Sequence, residues 1–422
     1  MRSKLFFIIF LGISILSSSF LETRELSIKQ IEERKKADIE RKKKREKRDK
    51  KFFSKEITLT TEIVFISRER EVPPVLSNLD PVLDDEGFYG VKLAIEDNLT
   101  TGRFVGHDYK AEFHRILLSE DIETEFKKLL EKGKKFFVVD LNYEEIKLLK
   151  QHSPNSDVVI FNIREKNDEL RNQQCQMNLF HIPPSYSILS DALTQYLVKK
   201  RWTKWFLITG PDENDRLYAA ALKNSAEKFN IKIKEEKTWD FTADLRRTAG
   251  KEVPIFTKVR GYDVIVVADE KGEFGEYLGY RTWDPKIIVG TQGLTPRSWH
   301  RTHEQWGATQ MQNRFRRESG RWMTEVDYHA WTAVRSIGEA ITRTQSNEVK
   351  DIQRYLLGEK FGLGAYKGVK VSFRSWNGQL RQPVLLASPR SMVSVSPQEG
   401  YIHPLSELDT MGKDEPESTC KF

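Results

Sequence analysis

Five short runs of β-branched and aromatic residues in this chain each end in polar residues that suit small-molecule binding. Val138-Val139 is followed by Asp140 and Asn142, and Ile160-Phe161 by Asn162 and Arg164. Asp212 follows Thr209-Gly210-Pro211, Asp269 and Glu270 follow Val266-Val267-Ala268, and Thr291 and Gln292 follow Ile288-Val289-Gly290. In an open parallel sheet, ligands bind beyond the carboxyl ends of the strands. A few polar groups at the bottom of an apolar cleft then fix the ligand's orientation. Asp140, Asp212, Asp269 and Glu270 together favour a cationic or multi-hydroxyl ligand, while Arg164 favours an anionic group. Asp and Asn are also the preferred caps at strand-to-helix turns, so a capping role stands beside ligand contact for each of them. Trp283, within Tyr280-Arg281-Thr282-Trp283-Asp284, offers a flat surface for stacking on a ligand or for packing within or between lobes.

Catalytic motifs are a poorer match. There is no GxSxG elbow and no GxxxxGK[ST] phosphate loop, and Gly272-Glu273-Phe274-Gly275 lacks the third glycine of a dinucleotide fingerprint. His300 and His303 are three apart, with Glu304 alongside. A helical zinc pair is four apart with a glutamate between, so a polar loop or helix end is the better reading. The expected chemistry is binding: no catalytic residue, metal or cofactor.

The elements that carry these residues alternate. Ile57 to Ser67 reads as a strand, Gly87 to Asn98 as a helix and Tyr109 to Leu118 as a strand. A helix from Ile122 stops at Gly133, the strand Phe136 to Val139 follows, then a helix from Asn142 to Gln151 and the strand Val158 to Phe161. After a helix from Ser185 to Lys200 the pattern begins again: strand Trp205 to Thr209, helix Asp215 to Phe229, extended Ile231 to Trp239, and short buried-type strands at Val264 to Val267 and Ile287 to Val289. A long helix spans Val326 to Thr344, and Asn377-Gly378 is a hairpin turn between Val369–Arg374 and Gln382–Ala387. Such alternation calls for α/β architecture with parallel sheets covered on both faces, here in two Rossmann-like lobes joined by a hinge. The expected limits are 55–183 plus 318–368 for the first lobe, 184–317 plus 369–395 for the second, and 396–422 for a tail over the surface.

At 422 residues the chain is long enough for two well-buried domains, and 38% hydrophobic with 31% charged residues describes a globular protein. Arg2 and Lys4 precede a twelve-residue apolar run, Leu5 to Leu16, followed by Ser17-Ser18-Ser19. A span needs about 20 apolar residues, so residues 1–19 read as a secretory signal, with an uncleaved anchor as the alternative. The net charge of +7 resides at this end: Glu22 to Lys51 hold fourteen Lys and Arg against eight Asp and Glu. With Arg2 and Lys4 removed as well, residues 52–422 sum to −1. Segment 20–54 is therefore a basic linker or helix, solvated or lying on anionic lipid headgroups, and no nucleic-acid face is expected. Cys175 and Cys420 are an even pair, consistent with one disulfide in an oxidising compartment or with two free thiols.

Several stretches resemble the type 1 periplasmic solute-binding proteins of the branched-chain amino acid ABC-transporter class. They are Gly90 to Asn98 as first helix, Pro184 to Lys200 as crossover helix, Trp205 to Gly210 as the strand opening the second lobe, and Phe373 to Leu380 as C-terminal hairpin. Asp97 to Phe104, Ala268 to Tyr277, Tyr280 to Pro285 and Gly378 to Pro383 look more narrowly like the binding proteins associated with pyrroloquinoline quinone (PQQ)-dependent alcohol dehydrogenase systems. The resemblance implies a periplasmic protein that takes a small solute in the interlobe cleft and presents it to an inner-membrane ABC permease. It also implies company with methanol or alcohol oxidation. An accessory protein that docks on the dehydrogenase or its cytochrome is the alternative. Amino-acid binders of the class hold a carboxylate with Ser or Thr hydroxyls and backbone amides after the third and fourth strands. Here those places read Asp140-Leu141-Asn142 and Asn162-Ile163-Arg164, which puts leucine or isoleucine in doubt.

Overall fold

A computed structural model describes residue 40 and residues 56–71, 83–154, 157–239, 245–420 and 422, with backbone alone over 245–247. The signal assigned to 1–19, and the basic segment 20–54 apart from Glu40, lie outside the described residues. Among those described, no helix is long and apolar enough to cross a membrane.

The first lobe is built on five parallel strands in the order β2-β1-β3-β4-β5: β1 (Leu59–Arg68), β2 (His107–Ile116), β3 (Phe136–Asp140), β4 (Val159–Asn162) and β5 (Leu179–His181). Its central strand shows why the run is uninterruptedly apolar. Phe136 and Val138 enter one core, while Phe137 and Val139 enter another on the opposite face. Helices α1 (Phe88–Val105) and α9 (Glu325–Thr344) cover the first face, and α2 (Ile122–Glu131) and α3 (Tyr143–His152) the second. Helices α1 and α9 approach closely. A Cβ on Gly90 would lie 2.1 Å from Asp327 O, and one on Gly338 2.2 Å from the Asn98 side chain. Helix α1 runs on past the expected end at Asn98, stopping at Gly106 with φ 83°.

Four parallel strands make the second lobe, in the order β7-β6-β8-β9: β6 (Lys204–Thr209), β7 (Lys232–Thr238), β8 (Val264–Ala268) and β9 (Ile287–Gly290). Trp205 and Leu207 pack with α4 (Tyr186–Lys199) and α5 (Glu213–Lys228), whereas Phe206 and Ile208 pack with α6 (Leu245–Phe256). An antiparallel trio, β10 (Thr295–Arg297), β14 (Val384–Ser388) and β15 (Ser391–Ser396), is added to this lobe.

Two expectations change. Trp299, and Ala308, Met311 and Phe315 of α8 (Ala308–Ser319), lie in the first lobe's core with Val371, Phe373 and Leu380. The apolar face of α8 is buried there, so the chain passes between lobes near Pro183, Ser298 and Pro383 rather than at 317 and 369. The hairpin turn stands at Asn377-Gly378, with Gly378 at φ 67°. However, β12 (Lys370–Phe373), which also pairs with β11 (Leu363–Gly364), is joined across the turn to β13 (Leu380–Arg381), and Val384–Ser388 leaves for the second lobe. The cysteines form one disulfide, Cys175–Cys420, with Cα atoms 5.7 Å apart.

Candidate functional site

Parallel strands deliver the expected polar residues to the carboxyl ends of both sheets, and there most of them are already engaged. Asp140, the last residue of β3, is buried and accepts hydrogen bonds from Arg164 Nε at 2.5 Å and Arg70 Nη2 at 2.5 Å. Burial pushes the Asp140 carboxyl up, but the two guanidiniums outweigh it and hold the group below its ordinary value. Arg164 also reaches Glu86 at 2.5 Å, closing a four-residue cluster of two acids and two bases. Asn142 caps α3 in a reciprocal box: Glu145 N–H donates to Asn142 Oδ1 and Asn142 N–H to Glu145 Oε2, each at 3.0 Å. Asn162 shapes the next loop, its Oδ1 accepting the N–H groups of Arg164 at 3.0 Å and Glu165 at 2.8 Å.

In the second lobe Asp212 precedes α5, and its N–H donates to Asp215 at 3.2 Å while its carboxylate pairs with Lys271 at 3.0 Å. Asp269 gathers three backbone N–H groups, from Glu273 and Phe274 at 3.0 Å and Gly275 at 2.7 Å. Burial raises its carboxyl in spite of these bonds. Asp215 accepts Glu270 N–H at 2.7 Å, and burial lifts its pKa to about 6. Gln292 lies against this loop so closely that a Cβ on Gly275 would be 2.2 Å from its Cγ.

Glu270 is the exception to local pairing. Its Oε2 lies 2.6 Å from Nζ of Lys166, which belongs to the loop after β4 in the other lobe. Lys166 also stands over the Tyr186 ring, 5.7 Å from its centre. Lys166 was not among the residues singled out from sequence, although it is only two positions past Arg164 in the same strand-end loop.

Trp283 does not join this group. Its N–H donates to Thr257 Oγ1 at 2.8 Å, just past the end of α6, and Lys258 Nζ stands 4.6 Å from its ring centre. Thr257 precedes β8 and Trp283 precedes β9, so the indole is at the amino ends of the strands, opposite to the cleft. The segment after α7 (Gly275–Leu278) must return the chain to that end before another parallel strand can begin.

Behind the cleft the three crossings are tied together by buried polar groups. Gln382 donates to Ile182 O at 2.7 Å, and Lys367 donates to both Ser298 O and Pro383 O. Burial lowers the Lys367 amine to about 7. His329 Nδ1 faces the carbonyl of Ile163 at 2.8 Å, and since a carbonyl only accepts, this nitrogen carries the proton. Ser298 Oγ lies 2.6 Å from His329 Nε2 and 2.8 Å from Glu325 Oε1, and Glu325 pairs with Arg297 at 2.9 Å. Among the described residues, no group of three His, Cys, Asp or Glu is placed to hold a metal ion. His303 instead bonds Tyr366 O at 2.7 Å, and His300 bonds Thr302 Oγ1 at 2.7 Å.

No family model and no curated protein matches the sequence. Solved structures do match. A periplasmic binding protein from Burkholderia mallei is similar at 14% identity and a TM-score of 0.63, over 86% of this chain and 98% of that one. A branched-chain amino acid ABC-transporter periplasmic ligand-binding protein from Burkholderia xenovorans gives 15% identity and 0.63, over 79% and 95%. The branched-chain amino acid transporter substrate-binding protein of Streptococcus pneumoniae, in complex with isoleucine, gives 15% and 0.61, over 80% and 98%. At these identities the likeness is one of architecture, and the chain has the two-lobed α/β fold of the type 1 periplasmic binding proteins.

Proposed function

We propose that this chain is the periplasmic substrate-binding component of an ABC transporter, closing its lobes on a small solute and presenting it to an inner-membrane permease. The observation that carries the reading is the Lys166–Glu270 ion pair at 2.6 Å, which joins the strand-end loops of opposite lobes across the cleft. A contact of this kind forms when two lobes close and is lost when they part, the hinge motion by which binding proteins enclose ligands. The fold supports the reading, and among the proteins of similar structure the one from Burkholderia xenovorans is named as an ABC-transporter periplasmic ligand-binding protein and the one from Streptococcus pneumoniae as a transporter substrate-binding protein.

The solute is better described as uncharged and hydroxylated than as cationic. Asp140 is balanced by Arg70 and Arg164, Asp212 by Lys271, Glu270 by Lys166, and Asp269 by three N–H groups. A bound cation would have to take its counter-charge from one of these pairs. Association with PQQ-dependent alcohol oxidation is the finer part of the reading. It is supported by the four segments around Asp97, Asp269, Trp283 and Gln379 that resemble that subfamily.

The docking alternative has its own observation. Tyr280 is fully exposed and Trp283 half exposed, both within one subfamily-like segment whose Trp283 end lies away from the cleft. Native mass spectrometry of protein purified from its own periplasm tests the two readings. A stoichiometric small molecule released on denaturation supports transport. An empty cleft with a dehydrogenase or cytochrome attached supports docking and overturns the transport reading.

A further inference from the structure

The C-terminal segment leaves the second lobe at Ser396, the end of β15, and finishes at Cys420, bonded to Cys175 of the first lobe. Cys175 stands between Leu170 and Leu179, two members of the core beneath α2 and α3. Between its ends the segment is gripped by both lobes within four residues. On the second-lobe side Met411 is buried in the core formed by α4, α5 and β6. Thr410 Oγ1 accepts from Gln195 Nε2 at 3.1 Å, and Gly412 N–H donates to Asp191 at 2.8 Å. Lys228 joins Asp191 at 2.8 Å to Gly412 O at 3.1 Å.

On the first-lobe side Asp409, almost fully buried, accepts from Arg374 at 2.8 Å and from Arg381 at 2.8 Å. Both arginines belong to the β12–β13 hairpin, whose Phe373 and Leu380 lie in the first lobe's core. Arg374 also donates to Met411 O at 2.8 Å and Lys413 O at 3.1 Å. The two guanidiniums flank Trp376, 5.4 Å and 5.0 Å from its ring centre, which fixes their directions. Lys413 closes a cavity of about 10 Å³ whose other walls are Asp168 and Arg171 of the first lobe, Ser187 at the start of α4, and Gln379 of the hairpin. The segment therefore lies over the first crossing. A Cβ on Gly412 would come within 2.6 Å of Ile188, so the strap packs directly on the start of α4 here.

We infer that residues 397–420 form a fourth connection between the lobes, a strap that limits how far the hinge opens. The three chain crossings permit rotation because each can absorb dihedral change at its ends. A strap fixed to a buried aspartate between two arginines and closed by a covalent bond does not. Two fastenings act jointly on it, and both are needed for full restraint: the disulfide, and the Arg374–Asp409–Arg381 clamp. Releasing either lengthens the reach of the open state without disturbing either sheet.

The test needs no ligand, so its result is separable from the transport reading. Spin labels on genetically encoded non-cysteine residues at exposed Lys132 and Asn224, one per lobe, report the interlobe distance in the full chain. Two variants are measured separately. Cys175→Ser with Cys420→Ser keeps the clamp, and Asp409→Asn keeps the disulfide. In each, the distance distribution is expected to broaden and its long edge to move out by more than about 2 Å, the scale of a real rearrangement between states. Far-UV circular dichroism identifies which variants remain folded. A folded variant of either kind with the wild-type distribution overturns the strap. Should the double-serine variant not fold, Asp409→Asn decides, together with the wild-type protein after reduction by a phosphine.

Discussion

Lys166 Nζ lies 2.6 Å from Glu270 Oε2, and the two side chains reach each other from different lobes. Both are partly exposed, at 31% and 17%. An exposed pair is worth at most about 1 kcal/mol to folding, so its importance is in which hinge angle is favoured rather than in whether the protein folds. The same energy shifts a two-state opening equilibrium by roughly fivefold.

Lys166→Glu is accordingly expected to leave the melting temperature nearly unchanged while increasing the radius of gyration in small-angle scattering. Combining it with Glu270→Lys should restore the wild-type value. A single variant as compact as wild type would show that the pair does not hold the lobes together.

Arg164→Ala removes the main partner of a fully buried carboxylate. Breaking a buried pair from one side costs about 3–5 kcal/mol, and the denaturant midpoint should fall accordingly. Adding Asp140→Asn removes the stranded charge, so the double variant is expected to be more stable than Arg164→Ala alone.

Asp269 holds the loop 269–275 through three N–H groups. Asp269→Ala leaves those donors without an acceptor, at about 1–3 kcal/mol for each that stays buried. Amide exchange at Glu273, Phe274 and Gly275 should accelerate, while the β8 amides keep their protection.

Acid should loosen the hinge core through two groups with the same sign. Burial raises the Glu325 carboxyl, but Arg297, Lys166 and His329 outweigh it and bring its pKa to about 2 from an ordinary 4.5. Its stabilisation is complete above pH 4.5 and is lost as the pH falls toward 2. Burial lowers His329 to about 4 from 6.5, so below pH 6.5 the unfolded chain takes a proton that the native chain refuses. Each effect amounts to about 3 kcal/mol at most. Urea unfolding should therefore show stability falling steadily from pH 6.5 to 3, and Glu325→Gln should flatten only the lower half of that curve.

Sequence alone was sufficient for the architecture because each strand carries its own evidence. Phe136 to Val139 is apolar at every position, and a strand buried on both faces has no other composition available. The cap at Asn142 was legible, as the alternative to ligand contact, for a similar reason, since a strand-to-helix turn needs a side-chain acceptor for its first free N–H groups. The pairing of Cys175 with Cys420 was within reach because two cysteines allow only one bridge.

Tertiary structure alone decided which polar residues at the strand ends pair with one another. Nothing local says that Arg164 is committed to Asp140 and Glu86, or that Glu86 and Arg70 stand beside them, because these residues come from separate strand-end loops. Trp283 was misplaced for a related reason. In a parallel sheet, each loop's position along the chain alternates between the two ends, and a short helix such as α7 conceals the return. The lobe boundaries moved because the apolar face of α8 fits equally well against either lobe when read as a helix, and only packing on α1 selects the first. The strap was hidden most completely: Asp409 meets Arg374 and Arg381 across about thirty residues of intervening chain, and burial of that charge is a property of the assembled lobes.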